Sequence, residues 1–227
     1  MNSCIFTRTK SVSNISKTKK NQHKNFMNSY LQIILNGIQT GNKRAGKCTV
    51  VALTAAMPQE GVSYVTQSFA VELARRTGRR TLIADADNLQ KVDMFHHNQV
   101  AKFCPPTDVP NLYVFSPAAE AEKTENKHQL QTKHRKSELE QGLENLQTLR
   151  FIFDYVFLDC SALKTSDTAA LFAPSVDGVV VVVEAERTRK EQVRNALNAI
   201  ETANGNLLGC VLNKRRYSIP QWIYSRL

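Results

Sequence analysis

Residues 48–78 read CTVVALTAAMPQEGVSYVTQSFAVELARRTG and contain three local patterns in succession. The first part is apolar and rich in aliphatic residues, a composition that predicts a buried strand. The last part carries Val65, Phe69 and Leu73 on one helical face, and Gly78 follows at the position where a helix would end. The stretch therefore predicts a strand, a glycine-containing turn and an amphipathic helix.

The same alternation of apolar runs and helical stripes continues along the chain. The run GVVVVVEA is apolar without alternation, which is typical of a strand buried on both faces of a parallel sheet. Strands that alternate with helices in this way favour an α/β fold with a doubly wound, mostly parallel sheet. The predicted strands are 48–56, 81–84, 112–115, 155–160, 178–185 and 207–213, the predicted helices are 63–77, 136–150 and 187–203, and 118–134 is predicted to be an exposed loop.

The positive charge of the chain is concentrated at its N-terminal end. The formal net charge is +10, and every acidic residue lies at Glu60 or beyond. Residues 1–27 are polar and rich in Lys, Ser, Thr and Asn, so they bury too little apolar surface to offset the entropy of ordering. We predict a basic disordered arm at 1–27 and a single domain at 28–227. An anionic membrane surface is an alternative partner for the arm, and Met27 is an alternative start.

Acidic side chains follow two of the predicted strands. Asp85 and Asp87 come directly after one apolar run, and Asp159 lies near the end of another. In doubly wound folds, ligands bind at the carboxyl ends of the strands. The glycine-containing loop before the first helix offers backbone N–H groups to a phosphate. Ser63 and the carboxylates are oxygen ligands of the kind that Mg²⁺ takes. The pattern predicts a phosphate and magnesium site at this edge of the sheet.

Three motifs, in this order along the chain, resemble those of a known family. P-loops read G-x-x-x-x-G-K-[ST], and Gly61-Val62-Ser63 stands at the last three positions. The chain resembles the bacterial tyrosine kinases of the CpsD/CapB type, polysaccharide autokinases within the MinD/ParA group. Their motifs typically read T-S-A-x-P-G-E-G-K-[ST], L-L-I-D-A-D and F-D-Y-V-I-I-D, and this chain has TAAMPQEGVS (54–63), LIADAD (82–87) and FDYVFLD (153–159).

The resemblance implies a P-loop NTPase-like domain of the MinD/ParA type that binds ATP or ADP with Mg²⁺. At the matched positions, Asp85 and Asp87 would be the catalytic carboxylates, and Ser63, Asp85 and Asp159 would hold the metal. The residues implied to bind the nucleotide are Pro58, Gln59, Glu60, Gly61, Val62, Ser63 and Tyr64.

Two departures from the family loop concern phosphate binding directly. Val62 stands where the phosphate-binding lysine belongs, and Gln59 replaces a glycine whose small size lets the backbone approach phosphate. A positioned cation belongs to the electrostatic stabilisation that dominates phosphoryl transfer, and its loss commonly costs about 10²–10³ in rate. We therefore expect weak or absent nucleotide binding, and catalytic carboxylates that are vestigial.

The C-terminal stretch carries aromatic residues among arginines. Tyr217, Trp222 and Tyr224 either pack back on the sheet or dock to a partner, since Trp, Tyr and Arg are favoured interface anchors. The resemblance implies an integral-membrane partner, the polysaccharide co-polymerase or chain-length regulator, together with self-association. It also implies a cytoplasmic location at the inner face of the plasma membrane, and we expect no nucleic-acid partner.

The leading interpretation is a regulatory component of exopolysaccharide or capsule biosynthesis and export with impaired catalysis. One alternative is an active ATP-dependent tyrosine autokinase of chain-length control, in which another residue replaces the lysine. A second alternative is a positioning ATPase of the MinD/ParA kind, with the basic arm on DNA or membrane.

Overall fold

The structure is a computed structural model that describes residues 48–92, 100–117 and 137–214. Several predictions lie outside the described residues, namely the basic arm at 1–27, the exposed loop at 118–134 and the aromatic residues Tyr217, Trp222 and Tyr224.

The six apolar runs form six strands of one sheet. Every pairing between neighbouring strands is parallel, and the strand order is β3-β2-β4-β1-β5-β6. This arrangement confirms the predicted doubly wound, mostly parallel sheet. The strands are β1 Thr49–Ala55, β2 Thr81–Asp85, β3 Leu112–Val114, β4 Tyr155–Asp159, β5 Gly178–Glu184 and β6 Leu207–Asn213.

Three long helices and three short ones accompany the described strands. The helices are α1 Val62–Thr77, α2 Ala86–Leu89, α3 Val100–Phe103, α4 Glu138–Ile152, α5 Thr168–Phe172 and α6 Lys190–Thr202. The three long helices were predicted within three residues at each end. The short helices were not predicted, because helices of four or five residues carry too few positions to show a periodic apolar stripe.

Apolar layers cover both faces of the sheet. Successive residues of a strand point to opposite faces, so Val51 and Leu53 of β1 pack in one buried cluster and Val50 and Ala52 in the other. Helix α1 belongs to the first cluster and α4 to the second. The first five residues of β5 are buried, as expected for a strand covered on both faces. No helix of the described residues is both long enough and apolar enough to span a bilayer.

The sheet order brings the acidic strand ends beside the glycine-containing loop. β4 lies between β1 and β2, and Asp85 is the register partner of Asp159. Asp159 is also the register partner of Leu53, shortly before the loop that follows β1. Residues far apart in the sequence therefore meet at the carboxyl edge of the strands.

Candidate functional site

Helix α1 begins at the glycine-containing loop without a side-chain cap. Gly61 is the N-cap residue, no side chain caps the helix, and no acidic residue lies in the first turn. The first backbone N–H groups of a helix and its macrodipole favour an anion at this end. The start of this 16-residue helix is therefore suited to a phosphate group.

Two residues of the loop adopt a left-handed backbone conformation. Gln59 has φ 67° and Gly61 has φ 91°. A side chain at Gly61 is also excluded by space, because a Cβ there would lie 2.3 Å from Nδ2 of Asn213. Gln59 adopts at a steric cost a conformation that glycine reaches freely. A glycine at position 59, as in the family loop, would adopt this conformation without the steric cost, in addition to offering the small size noted from the sequence.

Glu60 connects the loop to the segment between β5 and α6. Its side chain is almost fully buried, with 1% of its surface exposed. The carboxylate accepts hydrogen bonds from the Met57 N–H at 3.0 Å, from the Glu184 N–H at 3.5 Å and from the Thr188 hydroxyl. These bonds hold the loop against the ends of neighbouring elements.

Asp159 and Ser63 are in direct contact at the edge of the sheet. Burial raises the pKa of Asp159 to about 6, the Ser63 hydrogen bond lowers it, and the charges of Asp85 and Asp87 raise it further. Burial also raises the pKa of Asp85, against the opposing effect of the Asn88 N–H, which donates to its carboxylate at 2.8 Å. The carboxylates thus lie close enough to disfavour each other's ionised form.

Asp87 is held by two hydroxyl groups. The Ser161 hydroxyl donates to one carboxylate oxygen at 2.6 Å, and the Thr168 hydroxyl donates to the other at 2.6 Å. These bonds join α2, which follows β2 directly, to the segment that runs from the end of β4 to the start of α5. In this arrangement, Asp87 positions that segment, and both of its oxygens are engaged.

A cavity of about 360 Å³ lies between the loop and the acidic strand ends. Ten of the site residues named from the sequence are among the described residues. Eight of them line this cavity, whereas Tyr64 and Asp87 do not. Tyr64 is 51% exposed in the first turn of α1. The charged side chains of the lining are all acidic. The lining consists of Met57, Pro58, Gln59, Glu60, Gly61, Val62, Ser63, Asp85, Asp159, Cys160, Ser161, Ala162 and Thr165.

The donor set fits a magnesium-bound phosphate in part. Ser63 and Asp159 supply adjacent oxygens of the kind that Mg²⁺ binds, and the uncapped start of α1 suits phosphate. Among the described residues, no group of three or more His, Cys, Asp or Glu side chains is arranged to hold a metal ion by itself. A metal here would therefore need the Ser63 hydroxyl and oxygens from water or phosphate. Such a metal would neutralise the acidic lining.

Several residues around the site were missed in the sequence. Glu60 was named only as a loop residue, and its partner Thr188 was not named. Ser161 and Thr168, which bind Asp87, were not named either. The position of Ser161 shortly after the end of β4 is a signal that could have identified it. The hydroxyls of Thr168 and Thr188 had no such signal, because no spacing rule pairs a hydroxyl with a carboxylate more than 80 residues away in the sequence.

Replacing Asp159 with Asn is expected to stabilise the fold at neutral pH. In the folded protein the pKa of Asp159 is raised from 3.8 to about 6. The free energy of unfolding therefore falls as the pH rises through 6, and it is regained as the pH falls towards 4. The variant should be more stable than wild type by about 1–2 kcal/mol at pH 7.5 and by nothing at pH 4. Urea unfolding at both pH values measures the difference. Asp108→Asn, at an exposed carboxylate, is the control and should change nothing. A less stable Asp159→Asn variant at pH 7.5 would contradict the prediction.

No protein-family model matches the chain. The succinoglycan biosynthesis transport protein ExoP of Rhizobium meliloti is 33% identical over 178 residues, which cover 73% of this chain and 22% of ExoP. The tyrosine-protein kinase CpsD of Streptococcus agalactiae is 26% identical over 206 residues, which cover 82% of this chain and 85% of CpsD. The chain therefore spans about a fifth of ExoP and most of CpsD.

Solved structures share the fold. The kinase domain of the Escherichia coli tyrosine kinase ETK has a TM-score of 0.56 at 17% identity. The match covers 77% of this chain and 71% of the ETK chain. The MinD cell division protein of Aquifex aeolicus has a TM-score of 0.53 at 14% identity, and the match covers 79% of this chain and 73% of the MinD chain. The parallel sheet and its loop define a P-loop NTPase-like domain of the MinD/ParA type. Within that class, the chain belongs to the CpsD/CapB-type family of bacterial tyrosine kinases.

Proposed function

We propose that this protein is a regulatory component of exopolysaccharide or capsule biosynthesis and export that binds nucleotide weakly and has lost efficient phosphoryl transfer. The observation that carries the proposal is the charge of the cavity. The loop and the oxygens proposed to hold phosphate and Mg²⁺ line it together, whereas no Lys or Arg among the described residues does. The proposed role in exopolysaccharide biosynthesis is supported by the name of a relative, since ExoP is named for succinoglycan biosynthesis.

Nucleotide binding is supported by the parts of the site that remain in place. In the proposed complex, the loop from Pro58 to Ser63 holds the phosphates of ATP or ADP, and Tyr64 lies beside them. Ser63, Asp85 and Asp159 hold Mg²⁺, directly or through water. The Mg²⁺ ion would supply the positive charge that the protein side chains of the lining lack.

Impaired catalysis is supported by the position of Val62. Its side chain is partly buried and packs against the apolar cluster that includes Val65 and Phe69. An apolar side chain at this place cannot neutralise charge that develops on a transferred phosphoryl group. Asp87, named from the sequence as a catalytic carboxylate, accepts a hydrogen bond from a hydroxyl group at each of its two oxygens. Conformational signalling would then replace phosphoryl transfer.

The proposed partner is an integral-membrane polysaccharide co-polymerase that sets chain length. The names of the relatives support this proposal, since ExoP is named as a succinoglycan biosynthesis transport protein. The docking residues would be Tyr217, Trp222 and Tyr224, with the basic arm on anionic lipid. The protein would act at the inner face of the plasma membrane, alone or as a homo-oligomer.

Purified wild-type protein is expected to bind Mg²⁺–ADP weakly and to hydrolyse ATP negligibly. Isothermal titration calorimetry with and without Mg²⁺ measures the first, and phosphate release together with an anti-phosphotyrosine blot measures the second. Because the lining is acidic, binding should require Mg²⁺. Rapid hydrolysis that Asp85→Ala abolishes would replace this proposal with the active tyrosine autokinase.

A further inference from the structure

The end of β6 contacts two backbone carbonyl groups of the loop before α1. Nδ2 of Asn213 donates a hydrogen bond to the Glu60 carbonyl at 2.8 Å. Nζ of Lys214 donates to the Gln59 carbonyl at 2.5 Å and forms an ion pair with Glu184 at 3.0 Å. Two consecutive residues thus bind two consecutive carbonyl groups. Neither Asn213 nor Lys214 lines the cavity.

These contacts determine where the loop N–H groups point. The described residues contain no cis peptide bond, and in a trans peptide the carbonyl and the following N–H point in opposite directions. With the carbonyls of Gln59 and Glu60 directed at Lys214 and Asn213, the N–H groups of Glu60 and Gly61 are directed away from those residues. Backbone N–H groups arranged in this way form a concave anion site.

The backbone at this contact is strained on both sides. Lys214 has φ 56° and Gln59 has φ 67°. Both residues therefore adopt the left-handed backbone conformation, which only glycine reaches without a steric cost. Such outliers persist where the surrounding structure holds them, and they cluster at binding sites. The lysine ammonium is also in direct contact with the loop, since it donates to the Gln59 carbonyl.

We propose that Asn213 and Lys214 form a clamp that sets the loop N–H groups for a phosphate group and partly compensates for the lysine absent at position 62. Both are positioning residues, because they act through the loop backbone. The ligand class is a diphosphate or triphosphate with Mg²⁺, and the inference rests on the proposed nucleotide binding. The clamp adds a function for residues that lie outside the motifs of the loop and the acidic strand ends.

The test compares Lys214→Met with Arg187→Met. Arg187 also forms an ion pair with Glu184 at 3.0 Å, so each variant removes one cation from the same carboxylate. Arg187 serves as the matched control, because its described contact is with Glu184 and not with the loop carbonyls. Calorimetry measures the affinity for two probes, Mg²⁺–ADP and Mg²⁺–pyrophosphate, and thermal unfolding measures stability. Lys214→Arg keeps the donor and the charge.

Lys214→Met is expected to weaken both probes about tenfold, the effect of losing one hydrogen bond to a charged group. Arg187→Met should leave both affinities unchanged, and Lys214→Arg should restore most of the loss. A lower unfolding temperature with unchanged affinities would show a purely structural contact and overturn the clamp. Weaker ADP binding with unchanged pyrophosphate binding would assign Lys214 to the nucleoside and also overturn it. Failure of wild type to bind either probe would overturn the proposed nucleotide binding, and the clamp with it.

Discussion

Replacing Gln59 with Gly and Val62 with Lys together is expected to raise the affinity for Mg²⁺–ADP about 100-fold. A hydrogen bond between charged groups contributes about 1.5–3 kcal/mol, and the lysine would supply the cation that the acidic lining lacks. Glycine at position 59 removes the steric cost of the left-handed conformation, about 1 kcal/mol, and opens space beside the phosphates.

Each substitution alone should achieve less than the pair. Val62 packs partly against the apolar cluster, so a lysine there loses some apolar contact before it gains a phosphate. Isothermal titration calorimetry on wild type, both single variants and the double variant measures the affinities, and thermal unfolding verifies the fold.

A matched control is Asn204→Gly, which also places glycine at a positive φ, here 56°, in the segment after α6. It should leave nucleotide affinity unchanged. If the folded double variant gains no affinity over wild type, the cavity does not accept phosphate and only a binding scaffold remains.

Replacing Glu60 with Ala is expected to destabilise the fold by about 3 kcal/mol. The change leaves three hydrogen-bond donors without their acceptor, namely two backbone N–H groups and the Thr188 hydroxyl, in a place where the wild-type side chain is 1% exposed. It also opens a void beside the loop, which adds to the cost.

Urea unfolding at pH 7.5 measures this loss. Glu60→Gln keeps one carbonyl oxygen and should lie between Ala and wild type. The control is Glu72→Ala, which removes a carboxylate from an i,i+4 pair with Arg76 on α1 and should cost about 0.5 kcal/mol. Equal effects of the substitutions at 60 and 72 would show that the buried carboxylate does not hold the loop.

Local patterns were sufficient for most of the fold. All six predicted strands are present, because runs such as GVVVVVEA can be covered on both faces only in a sheet between helices. The long helices followed from their apolar spacing, and α1 begins at Val62, one residue before its predicted start. The short helices α2 and α5 escaped prediction, since tertiary contacts rather than periodicity hold them.

The site was predictable in part. The loop and the carboxylates Asp85 and Asp159 were found, because each directly follows or ends an apolar run, and parallel strands present those ends at one edge. The partners of these groups were not found. The bonds from Ser161 and Thr168 to Asp87 join residues 74 and 81 positions apart, and no sequence spacing encodes them.

The sequence by itself determined the strand and helix order, the missing loop lysine and the family, because these depend on residue identity and local periodicity. Only the tertiary structure decided that Gln59 adopts a left-handed backbone, that Asp87 is engaged by hydroxyl groups, and that Lys214 reaches the loop. The physical reason is that hydrogen bonds depend on atomic positions within a few tenths of an ångström. Such positions arise when β6 closes against β5 and brings residues 59 and 214 together.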